Sequence, residues 1–99
     1  MESQSKEVHI ASRDYWFIVI GYLQQNWALV DPVPEGARAW LLDNRGRVLN
    51  ERSFPSPEEA YRSLSQSGFR RFLEVPYATD YMRAPSPPFM RKPSRNGPV

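Results

Sequence analysis

The run Tyr15-Trp16-Phe17-Ile18-Val19-Ile20-Gly21-Tyr22-Leu23 limits the fold more than any other stretch of the chain. Aromatic and β-branched side chains lose χ1 freedom in a helix and pack well on a pleated surface, so the run predicts a strand. It is apolar at every position from 15 to 20, which predicts a central strand covered on both faces. A second pattern overlies the first. Trp16, Ile20, Leu23, Trp27 and Val30 recur at helical spacing and would line one face of an amphipathic helix. Residue type favours the strand, and the spacing keeps the helix open.

Further along, Gln24-Gln25-Asn26 can turn the chain and residues 27–30 read as the next strand. Pro32, Pro34 and Gly36 predict an irregular connection over 31–36. Residues 37–43 and 47–54 flank Asn44-Arg45-Gly46, the pattern of a hairpin whose turn closes on a left-handed glycine. The next element carries its own boundaries. Ser56 and Glu59 have the spacing of a capping box, Pro57 suits the first helical position, and Gly68 suits the residue just past the end. A helix of about ten residues from Pro57 follows, with Ala60, Tyr61 and Leu64 as its buried stripe. Phe69, Phe72, Leu73 and Val75 match neither period, so residues 69–75 are assigned to neither state.

These elements predict an α+β fold: a small antiparallel β-meander of three or four strands, one helix packed on one face, and an extended Pro-rich C-terminal tail. Residues 1–13 are expected to be a flexible N-terminus that adds at most a short edge strand. Residues 14–76 form the single α+β domain, and 77–99 form the extended, cationic tail. Such a core is small for 99 residues, so a homodimer interface is one way to add stability.

The chemistry on offer narrows the function classes. There is no cysteine, which rules out a disulfide framework or a thiolate metal site and suits a reducing compartment. Residues 1–7 lack the apolar segment of a signal peptide, and residues 15–20 are far too few to span a bilayer, which takes about 20 apolar residues. A cytoplasmic protein without membrane contact is the expectation. His9 is the only histidine and has no second ligand cluster at a useful spacing. Of the carboxylates, Glu58 and Glu59 are accounted for by the helix start and Glu51 by a solvent-facing strand position. Gly36 and Gly46 belong to turns, without a phosphate-cradling motif. No catalytic residue, metal ligand or cofactor is assigned, and a small enzyme ranks third among the readings.

Binding by surface contact ranks first. Trp16, Trp27 and Trp40 are many tryptophans for one small core, and Trp40 is expected to stay partly exposed on an open sheet face. The tail supplies a second contact: Pro85 and Pro88 have PxxP spacing, and Phe89 and Met90 are apolar residues beside proline. Arg91-Lys92-Pro93-Ser94 also resembles a basophilic phosphorylation site. A non-catalytic protein-binding module, with an unidentified protein or a second copy as partner, is therefore expected to use Trp40, Pro85, Pro88, Phe89 and Met90. The alternative is a nucleic-acid-binding accessory protein. It would use Arg45, Arg47, Arg70, Arg71, Arg91 and Lys92, with aromatic rings between them to stack bases. Charge distribution argues against that alternative. Residues 1–81 carry nine basic against eleven acidic residues, while 82–99 carry four basic residues and no acidic ones. A net-negative body repels a polyanion, so the tail is better placed to lie along its own domain, a twofold mate or a protein partner.

Overall fold

The computed structural model describes residues 6–21 and 24–91. Its main element is a five-stranded antiparallel sheet in the order β5-β4-β3-β2-β6. The strands are β2 (Trp16–Gly21), β3 (Gln24–Val33), β4 (Gly36–Leu42), β5 (Val48–Phe54) and the two-residue β6 (Arg70–Arg71). A separate two-stranded antiparallel sheet pairs β1 (Lys6–Val8) with β7 (Phe89–Arg91). Helix α1 (Pro57–Gln66) follows β5, and a 3₁₀ turn (Phe72–Glu74) and one helical turn, α2 (Ala78–Tyr81), follow β6. The α+β class agrees with expectation. The strand count does not, because β1, β6 and β7 are each two or three residues long, too short to show a period.

Residues 16–21 and 24–33 are strands, so side-chain type outweighs the helical spacing. Two expected boundaries move. Gln24, Gln25 and Asn26 are not a turn but pair with Gly21, Val19 and Ile18, with a bulge between Val19 and Gly21. Nor is the stretch 31–36 irregular throughout. β3 runs on to Val33, and the turn takes up only Pro34 and Glu35. Pro32 pairs with Ala37 of β4, while β2 pairs no further along β3 than Ala28. Past Ala28 the other side of β3 is an edge, where a missing amide breaks no ladder. Gly36 has φ +144, and a Cβ there would meet the Phe54 carbonyl oxygen at 2.2 Å. No other residue fits this approach.

The β4–β5 hairpin closes as predicted, with Gly46 at φ 82 donating to the Asp43 carbonyl at 3.1 Å. Helix α1 also starts and stops where its caps require. Ser56 Oγ accepts from the Glu59 amide at 3.2 Å, and the Phe69 amide donates to the Leu64 carbonyl at 2.9 Å behind Gly68. The other half of the capping box is not made, because the Glu59 carboxylate pairs with Arg62 at 3.0 Å.

The sheet separates two apolar layers. On one face α1 packs Ala60 and Leu64 over Trp16, Ala28, Val30, Ala37 and Ala39. The three small side chains on β3 and β4 let the helix sit close. Tyr61 stacks on Trp16 with ring centroids 5.6 Å apart. On the other face Phe17, Trp27, Leu29, Trp40 and Leu42 lie beneath Ile10, Val75, Ala78 and Phe89. The second cover comes entirely from the two ends of the described chain. Residues 6–13 therefore include a paired strand and a buried Ile10, and α2 lies within the stretch expected to be extended.

Candidate functional site

Trp40 is 8% exposed, which corrects the expectation that it stays partly open to solvent. Its position explains the difference. It faces the layer that Ile10 and Phe89 cover, so the sheet face proposed as a contact surface is filled by this chain itself. Phe89 is 1% exposed, Pro85 is buried, and the Tyr15 hydroxyl donates to the Pro85 carbonyl. Val8, Glu7 and Lys6 of β1 pair with Phe89, Met90 and Arg91 of β7. The Met90 amide donates to the Gly46 carbonyl at 3.3 Å, and Arg91 reaches Glu51 on β5 at 2.6 Å. A Cβ at Gly46 would lie in ordinary contact with Phe89 and Pro85, at 3.4 and 3.5 Å, so the positive φ rather than space favours glycine there. The five proposed contact residues thus divide. Trp40, Pro85 and Phe89 are inside, Met90 is half-buried, and Pro88 is exposed.

The arginines do not converge on one site. Arg45 and Arg47 sit at the β4–β5 tip, and Arg70 and Arg71 form β6 at the far edge of the sheet. With β3 and β2 between them, the two groups are three to four strand spacings apart, about 14–19 Å. Arg47 is held by Asp43 at 2.7 Å. Arg71 lies 3.1 Å from Asp14 and 3.4 Å from Glu74, with its guanidinium over the Trp16 and Tyr61 rings. Arg91 is paired with Glu51 as described, and Lys92 lies outside the described residues.

Two titratable groups are shifted at the ends of this layer. Burial alone would raise the Asp43 carboxyl, but hydrogen bonds from Arg47 and from the Arg45 amide outweigh it and hold the group below its ordinary value. The Tyr15 phenol is raised, chiefly by burial and against a smaller opposing pull from Arg13. His9 is exposed and shares a shallow groove with Glu7, Asp31 and Arg13. The Asp31 carboxylate is already used, since its two oxygens accept the Ala11 and Ser12 amides at 3.1 and 2.8 Å. Among the described residues no group of three His, Asp or Glu side chains could hold a metal ion, and no helix is long and apolar enough to cross a membrane.

With both sheet faces covered, the large apolar side chains left in water take on more weight. Leu73, Tyr77 and Tyr81 are 72, 57 and 82% exposed. Tyr77 caps the start of α2 and Tyr81 ends it, so at a spacing of four they share a side of that turn, while Ala78 is buried. In the sequence Tyr77 and Tyr81 stand out as apolar residues with little use in a solvating tail, but Leu73 does not join them because residues 69–75 carry no period, although the spacing of four from Leu73 to Tyr81 is there. Val19, Ile20 and Leu49 are also exposed, at the bulges of β2 and β5. Comparison with protein-family models, with curated proteins and with solved structures finds no match to this chain.

Proposed function

We propose that the protein is a non-catalytic protein-binding module whose main contact surface is Leu73, Tyr77 and Tyr81. The carrying observation is their exposure beside a layer in which Trp27 and Trp40 are buried. Tyrosine supplies large, stiff contact area at low entropic cost, and such residues left in water mark contact sites more often than scattered leucines do. Pro88 and Met90 are the tail residues still able to contribute a second contact. The partner is a protein, with a second copy of this chain as one candidate. A cytoplasmic setting belongs to the same proposal and rests on the absence of cysteine.

The test is a comparison of the full chain with its Tyr77→Ser/Tyr81→Ser variant in affinity capture from the native host and in light scattering. Both substitutions are at exposed positions, so the fold should melt within about 0.5 kcal/mol of the parent. Loss of a specific partner, or of a dimer mass, supports the surface. Unchanged capture and unchanged mass would refute it. Titration with single- and double-stranded oligonucleotides at two salt concentrations provides the contrast. Affinity that falls steeply with salt would replace this reading with the nucleic-acid one.

A further inference from the structure

Tyr81 does more than stand in water beside Leu73 and Tyr77. It also walls a groove of about 350 Å³ that Phe72, Asp80, Met82, Arg83 and Ala84 help to line. The apolar part of this groove is firmly held. Phe72, Met82 and Ala84 are half-buried and pack on the covered layer of the sheet, with the Phe72 ring edge-on to Trp27 and Phe17 at 5.2 and 6.1 Å. Two opposite charges line the same groove. Asp80 and Arg83 are exposed, and neither has an ion-pair partner among the described residues. They do not pair with each other because α2 ends between them. Met82 is extended, at φ −119 and ψ 146, so Arg83 does not lie on the helical turn that would bring it beside Asp80.

A ridge and a groove that share one residue, with a charge of each sign beside it, complement a copy of themselves. A twofold contact has this requirement, since the same patch is used on both subunits and what one offers the other must receive. We propose that the partner of the Leu73–Tyr81 surface is a second copy of this chain, related by a twofold axis beside Tyr81. The Tyr81 ring of each copy lies in the groove of the other, against Phe72, Met82 and Ala84, and Asp80 of each copy faces Arg83 of the other. Leu73 and Tyr77 extend the apolar contact. The groove falls in the size range of pockets that hold a small ligand, so it has room for one aromatic side chain. Charge selects against other occupants. A strongly acidic partner is repelled by Asp80 and a strongly basic one by Arg83, whereas a second copy satisfies both. Glu74 leaves this balance intact, because Arg71 holds it at 3.4 Å. Size points the same way, since a small body buries a modest fraction of its surface and a dimer interface adds to it. The inference rests on the reading of Leu73, Tyr77 and Tyr81 as a contact surface and names its partner.

Sedimentation velocity on the full chain, at concentrations up to about 1 mM, is the test. A dimer that grows with concentration is expected, and Tyr77→Ser/Tyr81→Ser should leave a monomer. Charge reversal tests the facing residues. Asp80→Arg and Arg83→Asp should each weaken the dimer at least about tenfold, because each puts two like-charge pairs where two opposite pairs stood. Mixing these two variants should restore association, since each then meets the opposite charge at both pairs. The double variant Asp80→Arg/Arg83→Asp should dimerise alone for the same reason. All four substituted positions are exposed, so each variant should melt close to the parent. The inference falls if the parent stays monomeric at every concentration, if the tyrosine variant dimerises as the parent does, or if the mixture associates no better than either variant alone. A monomeric parent whose tyrosine variant loses a foreign protein in affinity capture would overturn the second copy and leave the protein-binding reading standing.

Discussion

Replacing Phe89 with alanine puts the second apolar layer to the test. The ring is 1% exposed and packs in the cluster of Ile10, Trp40 and Val75, with the Arg13 guanidinium 5.2 Å above it. Losing a fully buried phenylalanine removes about 1.5–3 kcal/mol of transfer free energy, and the cavity left behind brings the total to about 3–5 kcal/mol. The cation–π contact adds roughly 0.5–1 kcal/mol to the loss. A chain of this size has a total stability of about 5–15 kcal/mol, so one substitution would take up a large part of it. Urea unfolding is the assay. At a slope of about 1.5 kcal/mol per molar urea, the midpoint should fall by about 2–4 M. Tryptophan emission should shift to the red as Trp40 gains contact with water. Tyr81→Ala, at an 82% exposed position, is the matched control and should stay within about 0.5 kcal/mol of the parent. If Phe89→Ala behaves like the control, residues 85–91 do not cover the sheet and the account of Trp40 given above is wrong.

Other outcomes follow from local geometry. Gly36→Ala should destabilise the fold by about 3 kcal/mol or more, because its Cβ would meet the Phe54 carbonyl at a positive φ; an unchanged thermal melt would refute the close approach. Ser56→Ala should cost about 1 kcal/mol by removing the acceptor for the Glu59 amide, seen as a fall in melting temperature of about 4–8 °C. The Asp43 carboxyl titrates below its ordinary value in the folded chain, so its ionised form stabilises above the unfolded value of about 3.9 and that contribution is lost as pH falls through the folded value. Asp43→Asn should therefore cost about 1 kcal/mol at pH 7, and the gap to the parent should close as urea titrations are taken down toward pH 2. A gap that stays constant with pH would remove the charged hydrogen bonds from the explanation.

Helix α1 was legible to the residue at its start because each of its signals acts within four positions: Ser56 on the Glu59 amide, Pro57 at a site that needs no donor, Gly68 past the end. The β4–β5 hairpin was legible for the same reason, through Asn44 and Gly46. Short pieces failed for the opposite reason. In β6, Arg70 and Arg71 are held by partners more than 50 positions away, Phe17 and Trp16, and nothing in two residues announces a strand. The misplaced turn at Gln24-Gln25-Asn26 has a similar cause. Polar residues there reflect a sheet end near solvent, and a strand end carries the same composition as a turn.

For the candidate sites the division is sharper. Residue types alone determined an α+β class, a helix over Pro57–Gln66, and a set of aromatic and proline residues too apolar for a solvating tail. Tertiary structure decided which of them meet water. Trp40 could not be known as buried from its own strand, because its cover comes from Ile10 and Phe89, 30 and 49 positions away. Leu73, Tyr77 and Tyr81 became a surface only because Val75 and Ala78 between them were used to close the same layer. Arg38 makes no ion pair with Asp31 across the ladder, because Asp31 is engaged by the backbone of Ala11 and Ser12. Burial and pairing are competitions among residues distant in sequence, and only the packed chain settles which ones win.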